Sequence, residues 1–103
     1  MSGPGAASSG GELRRRTIIV NMRGLHARAA ATMAKAAERF AADVTVSTGG
    51  QTVSARSIMG LLMLAASKGT EIEIAARGSD AAAAMAALVR LVERGFDEHD
   101  PVT

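Results

Sequence analysis

The strongest constraint on the fold is a hydrophobic period that alternates between two and about 3.6 residues along the chain. Period-two segments rich in β-branched side chains predict four strands, at residues 15–22, 43–47, 51–55 and 70–78. Segments with the longer period predict three helices, which begin after His26, Ser57 and Asp80. The order β-α-β-β-α-β-α, with one hairpin at Gly49-Gly50, predicts an α+β fold of two layers. A mainly antiparallel four-stranded sheet would carry all three helices on one face.

The predicted helices have defined buried faces and ends. The first should bury a stripe of mostly small side chains: Ala30, Met33, Ala34, Ala37 and Phe40/Ala41. The second should begin at Ser57 as N-cap and extend to Lys68, with Gly69 at its exit. Ser79-Asp80 should cap the third, whose inner face comprises Ala84, Leu88, Leu91 and Val92.

The length of the chain, 103 residues, suits one compact domain. We place it at residues 12–95, between a Gly/Ser-rich disordered leader at 1–11 and a polar tail at 96–103. The absence of cysteine excludes disulfides and thiolate catalysis, and two histidines 73 positions apart are not a metal-binding pattern. No signal segment and no run of about 18 apolar residues is present. We therefore expect a soluble, cytoplasmic protein without membrane insertion, metal or cofactor.

The charges are divided unevenly between the two halves of the chain. Residues 1–56 carry eight Lys/Arg against three Asp/Glu, whereas residues 57–103 carry four against seven. The basic half favours a ligand or partner with negative charge. Nucleic-acid binding through Arg14–Arg16, Arg23 and Lys35 is disfavoured, because the chain has no tyrosine or tryptophan to stack on bases.

His26 lies where the first helix should begin, after the turn at Gly24-Leu25. Serine, aspartate or asparagine would cap a helix better by about 1 kcal/mol, so a structural role alone explains this histidine poorly. Helix N–H groups and the positive end of the helix dipole favour an anion here. The unprotonated nitrogen of a neutral imidazole can attack phosphorus, and Arg28 with the N–H groups of Ala27 and Ala29 would bind the phosphoryl group. On spacing alone, an exposed linker histidine without function remains the alternative.

Two motifs resemble a known family. These are "GLHARAA" at residues 24–30 and "SIMGLLML" at residues 57–64, with "KGTEIEI" at the last strand. They resemble the HPr family of phosphocarrier proteins in the phosphoenolpyruvate-dependent phosphotransferase system, over residues 15–94. The resemblance implies an open-faced β-sandwich and a carrier role without turnover. His26 would accept a phosphoryl group at Nδ1 from Enzyme I, beside Arg28, and donate it to a downstream EIIA-type domain.

The resemblance also implies regulation at Ser57. This residue matches a serine that HPr kinase/phosphorylase modifies in many bacteria, although serine at an N-cap is also ordinary structural chemistry. The second helix has more apolar residues than one thin core can bury, so some of them should be exposed. The less favoured alternative is a helix that is buried on all sides. We expect Ile58, Met59 and Leu62 to form a docking patch beside His26 on a monomer. A phosphate on Ser57, at the edge of that patch, would weaken the docking of an acidic partner.

One position departs from the family pattern, which usually has proline where this chain has Ala29. Alanine restores an N–H donor near the phosphate and gives up a fixed φ. Two alternatives stay open: a non-catalytic binding module of the same fold, and a carrier in the nitrogen-related rather than the sugar branch. A module that had lost the reaction should lack the histidine, so His26 and Arg28 favour the carrier.

Overall fold

The computed structural model describes residues 11–98 and contains the predicted elements in the predicted order. The strands are β1 (Leu13–Ile18), β2 (Asp43–Thr48), β3 (Gln51–Ser54) and β4 (Glu71–Arg77). The helices are α1 (Ala27–Glu38), α2 (Ile58–Met63) and α3 (Ala81–Glu93). The strands form one sheet in the order β1-β4-β2-β3, and every neighbouring pair is antiparallel. The predicted fold class is confirmed.

The alternation of side chains along the strands gives the sheet one buried and one polar face. The inner face is apolar and packs under the helices: Val44, Val46, Ile72, Ile74 and Ala76. The outer face carries polar side chains, including an ion pair of 2.8 Å between Arg14 on β1 and Glu73 on β4. A one-residue shift in register would exchange the two faces, so burial of the apolar set fixes the register.

The core is formed by small side chains from the helices and branched side chains from the sheet. Ala30, Met33 and Ala37 on α1 are fully buried, and the predicted inner face of α3 is buried as well. Phe40 and Ala41, which the sequence analysis assigned to the first helix, follow its last residue, Glu38.

Two predicted boundaries are wrong. The first strand ends at Ile18 rather than at residue 22, because the chain turns at Asn21, whose carbonyl accepts from the N–H of Gly24 at 3.1 Å. The second helix ends at Met63 and does not reach Lys68. Ala65 has a left-handed φ of 54°, which turns the chain so that the carbonyl of Ala66 accepts from the N–H of Leu25 at 2.8 Å.

The predicted cap of the last helix is wrong in its chemistry. Asp80 is the N-cap residue of α3, but its side chain makes no capping hydrogen bond. Its carboxylate accepts instead from the N–H of Ala41 at 2.7 Å, and so joins the start of α3 to the loop after α1.

The chain after α3 differs from the predicted tail at residues 96–98. Gly95–Asp97 forms a short turn, and Phe96 is buried in the core at 5% exposure. The predicted leader at 1–11 lies outside the described residues except for Gly11, and so do residues 99–103 of the predicted tail. Within residues 11–98, no helix has the length and apolar character needed to cross a membrane.

Gly24 supplies the tightest backbone approach near α1. Its φ is +66°, and a Cβ there would lie 2.5 Å from the carbonyl oxygen of Ala66. We predict that Gly24→Ala lowers the free energy of unfolding by about 1–3 kcal/mol more than Gly49→Ala does, as measured by denaturant unfolding. Gly49 is a matched control because its φ is +57° and nothing lies within 4 Å of its added Cβ. Equal losses in the two variants would contradict the predicted clash.

Candidate functional site

His26 is the N-cap of α1, as the sequence predicts. Its backbone is extended, with φ −78° and ψ −178°, and its carbonyl oxygen accepts from the N–H of Ala30 at 2.8 Å. The Nδ1 atom of its ring accepts from the N–H of Arg28 at 3.3 Å. A nitrogen that accepts a hydrogen bond carries a lone pair and no proton. The Nδ1 lone pair is therefore directed at the first turn of α1, where a helix has unsatisfied N–H groups.

The backbone of the turn before His26 is held by hydrogen bonds on two sides. Nδ2 of the buried Asn21 donates to the carbonyl oxygen of Gly24 at 2.8 Å. Leu25 is buried, and its N–H is bonded to Ala66 in the loop after α2. The backbone next to His26 is thus attached to its own turn and to a distant loop, which limits the positions open to the imidazole.

The other ring nitrogen of His26 is bonded to Glu98, a residue that the sequence analysis did not identify as part of the site. Nε2 forms a hydrogen bond with Oε2 of Glu98, and Oε1 of the same carboxylate accepts from Nδ2 of Asn21 at 2.9 Å. The side chains of His26 and Glu98 are 22% and 12% exposed. Because Nδ1 acts as an acceptor, Nε2 carries the proton of the neutral ring and donates it to the carboxylate.

Glu98 lies 72 positions from His26 in the sequence, so no local pattern connects them. The acidic residues around it resemble a solvated tail. The signal that could have found it is Phe96, a large apolar side chain within that polar segment. Its burial brings the last described residues back to the start of α1.

Glu98 is ionised at neutral pH. Burial by itself raises the pKa of this carboxyl group. Hydrogen bonds from Asn21 and His26 and the positive charge of Arg23 act in the opposite direction, and the net effect lowers the pKa of Glu98 below its ordinary value. The ring N–H of His26 therefore faces an anion.

The other residues of the predicted phosphate site lie on the first turn of α1. Ala27 and Arg28 are exposed, and Ala29 is fully buried. The sequence predicts a role for the side chain of Arg28, and in the structure the backbone N–H of Arg28 also contacts the ring. Within residues 11–98, no group of three or more His, Cys, Asp or Glu side chains could hold a metal ion.

The second helix presents both the predicted cap and an exposed apolar surface. Oγ of Ser57 accepts from the N–H of Gly60 at 2.9 Å, which confirms the N-cap. Ile58 and Met59 are 42% and 69% exposed. Leu62 is half-buried and packs against the core, whereas Met63, which the sequence analysis left out, is 70% exposed. The exposed apolar residues of α2 are therefore Ile58, Met59 and Met63.

Comparison with known proteins identifies the family. The family model described as "PTS HPr component phosphorylation site" matches residues 13–94, which include all four strands and all three helices. The chain belongs to the HPr family. The residues that the family model matches include His26, Arg28 and Ser57, which lie in the two motifs that carry the sequence resemblance.

Curated members of the HPr family are similar over nearly their whole length. The phosphocarrier protein HPr of Xylella fastidiosa strain 9a5c is 44% identical over 86 residues, which cover 84% of this chain and 97% of the relative. The phosphocarrier protein NPr of Shewanella violacea is also 44% identical, over 87 residues that cover 84% and 96%.

The solved HPr structures have the same fold. An HPr from Thermoanaerobacter tengcongensis aligns with a TM-score of 0.81 at 37% identity, covering 84% of this chain and 98% of the neighbour. Another structure from that organism is described as an HPr dimer; it has a TM-score of 0.67 at 38% identity and covers 80% and 95%.

Proposed function

We propose that this chain is a phosphoryl carrier of the phosphotransferase system, with Nδ1 of His26 as the acceptor. Enzyme I, charged from phosphoenolpyruvate, would supply the phosphoryl group, and an EIIA-type domain would receive it. The observation that carries the proposal is the hydrogen bond that Nδ1 accepts from the Arg28 N–H at the N-terminus of α1. Membership of a phosphocarrier family supports a carrier role rather than a turnover enzyme.

The transfer needs a free electron pair on the attacking nitrogen. The Nδ1 lone pair attacks the phosphorus of the phosphohistidine on Enzyme I, and an N–P bond forms while the donor's N–P bond breaks. The donor imidazole leaves with the bonding electron pair. Donation to the downstream domain is the same step in reverse, in which the ring of His26 is the leaving group.

The first turn of α1 has the groups to bind the charge that arrives, about −2 on the phosphoryl group at neutral pH. The Arg28 N–H now bonded to Nδ1 can turn to a phosphoryl oxygen, with the N–H groups of Ala27 and Ala29 beside it. The exposed guanidinium of Arg28 adds a flexible cation. Ala29 keeps a donor that proline would remove.

The proposal predicts where a label from phosphoenolpyruvate will be found. With purified Enzyme I and magnesium, the wild-type chain should become labelled, and the label should be lost in acid. His26→Ala should take up no label. His99→Ala is the matched control, because it removes the only other histidine of the chain, and it should be labelled like wild type. Label retained in His26→Ala, or an unlabelled wild type in the presence of active Enzyme I, would contradict the proposal.

Ile58 and Met59 supply the surface on which we propose that partners dock. They are exposed on α2, which packs against α1, the helix that carries His26 at its start. An exposed apolar cluster on a helix that packs against the helix of the reactive group suits a protein that must fit several partners. Ser57 lies at the edge of this cluster, so phosphorylation by HPr kinase/phosphorylase would place charge on the interface. We propose a monomer, in which this surface of α2 is free to bind Enzyme I and the EIIA-type domain.

The docking proposal predicts a change in KM rather than in kcat. Met59→Ser should raise the KM of Enzyme I for this protein by roughly 5–10-fold, because it removes apolar contact area made in the complex. Ile18→Ser is the matched control: Ile18 is also a half-exposed apolar residue, 49% exposed, but it lies on the outer face of β1.

The same assay tests Ser57. Ser57→Asp should raise KM by several-fold through its charge, whereas Ser57→Ala should only lose about 1 kcal/mol of stability with its cap. A KM unchanged in both Met59→Ser and Ser57→Asp would show that α2 is not part of the interface.

A carrier in the nitrogen-related branch is the second candidate. A relative named NPr is as similar to this chain as a relative named HPr, at 44% identity for both, which supports this candidate equally. The rate of transfer from the labelled chain to EIIA-type domains of the two branches distinguishes them. A chain that takes no label from active Enzyme I would support the non-catalytic binding module.

A further inference from the structure

We propose that Glu98 is a positioning residue for this phosphoryl transfer: its carboxylate keeps the proton on Nε2 of His26, and so keeps the lone pair on Nδ1. The inference rests on the carrier role proposed above and adds a residue from the end of the described chain to the site.

The two ring nitrogens of His26 have partners that select the same tautomer. The N–H of Arg28 can only donate, so it requires a lone pair on Nδ1. An ionised carboxylate can only accept, so Glu98 requires a proton on Nε2. In the opposite tautomer the proton on Nδ1 would face the N–H of Arg28, and the lone pair on Nε2 would face an anion. Both contacts would then be repulsive.

The carboxylate of Glu98 is itself held in position. Its second oxygen accepts from Nδ2 of Asn21, which is 2% exposed and also bonded to the carbonyl of Gly24, two residues before His26. The amide of Asn21 therefore uses both of its hydrogens to join the carboxylate to the turn that carries the histidine. This fixes the direction from which Glu98 approaches the ring.

The backbone before Glu98 forms a strained turn with three consecutive residues at positive φ. Gly95, Phe96 and Asp97 have consecutive φ values of 64°, 58° and 60°, in the left-handed region that side chains other than glycine rarely adopt. Burial of Phe96 and hydrogen bonds from Arg94 to Asp97 of 2.8 and 3.1 Å stabilise this turn. Strained turns that persist in this way are concentrated at functional sites.

The negative charge of the Glu98 carboxylate is opposite in sign to the charge that develops on the His26 ring during transfer. When Nδ1 forms its bond to phosphorus, Nε2 keeps its proton and the ring gains a positive charge. The electron pair of the broken bond leaves with the imidazole of the donor. An anion already aligned on the ring N–H stabilises that positive charge without reorganisation. Glu98 thus acts through the histidine and does not touch the phosphoryl group.

The test is Glu98→Gln in the full-length protein, with two measurements. An amide of the same size can donate as well as accept, so ¹⁵N NMR of the His26 ring should change from the Nε2–H tautomer alone to a mixture. The kcat for phosphorylation by Enzyme I should fall by about 10-fold with KM unchanged. Glu93→Gln is the matched control, since it makes the same change to an exposed carboxylate at the end of α3, outside the turn that carries Glu98, and it should leave both readouts as in wild type.

The outcomes separate this inference from the proposed function. A Glu98→Gln variant with the wild-type tautomer, or with unchanged kcat, overturns the role of Glu98 while labelling of the wild type still stands. A raised KM with unchanged kcat overturns it as well, because Glu98 would then serve docking. Glu98→Ala, which can neither accept nor donate, must lower kcat at least as much as Glu98→Gln. A wild type that takes no label contradicts the carrier role itself.

Discussion

The hydrogen bond from the Arg28 N–H to Nδ1 of His26 links the structure of this chain to its chemistry. It satisfies one of the free N–H groups at the start of α1, and it also requires that Nδ1 carry a lone pair. A serine or aspartate would make the same cap with more stability, by about 1 kcal/mol. In the proposed function, the histidine gives up some helix stability and provides a nucleophilic atom at a position already suited to anions.

Hydrogen bonds from the surrounding turn and loop fix the backbone and the ring of His26. The turn at Gly24-Leu25 is bonded to Ala66 in the loop after α2, and Asn21 is bonded to both Gly24 and Glu98. Three parts of the chain that are far apart in sequence thus meet at His26. Each of these parts is anchored by a buried side chain: Leu25, Ala66 and Phe96 all belong to the core that the inner face of the sheet and the helices enclose.

Local chemistry was readable from the sequence. Periodicity predicted the four strands and three α-helices of residues 11–98 in their order, but not the 3-10 turn at Gly95–Asp97. Residue type predicted the caps at His26 and Ser57, since a cap depends on atoms within three residues. Most of the errors lie where a distant partner competes with a local one; the end of β1 is an exception, because a local turn from Asn21 to Gly24 follows it. The carboxylate of Asp80 bonds to Ala41 instead of its own helix, and α2 stops early because Ala66 bonds to Leu25. Glu98 was missed for the same reason.

The most direct test of the account is NMR of the phosphorylated, ¹⁵N-labelled protein, in which ³¹P–¹⁵N coupling identifies the bonded ring nitrogen. The account predicts coupling to Nδ1 of His26, together with large shifts of the amide N–H signals of Ala27, Arg28 and Ala29 as they bind the phosphoryl oxygens. Coupling to Nε2, or unchanged signals from these three amides, would contradict the claim that the N-cap geometry of α1 selects the acceptor atom.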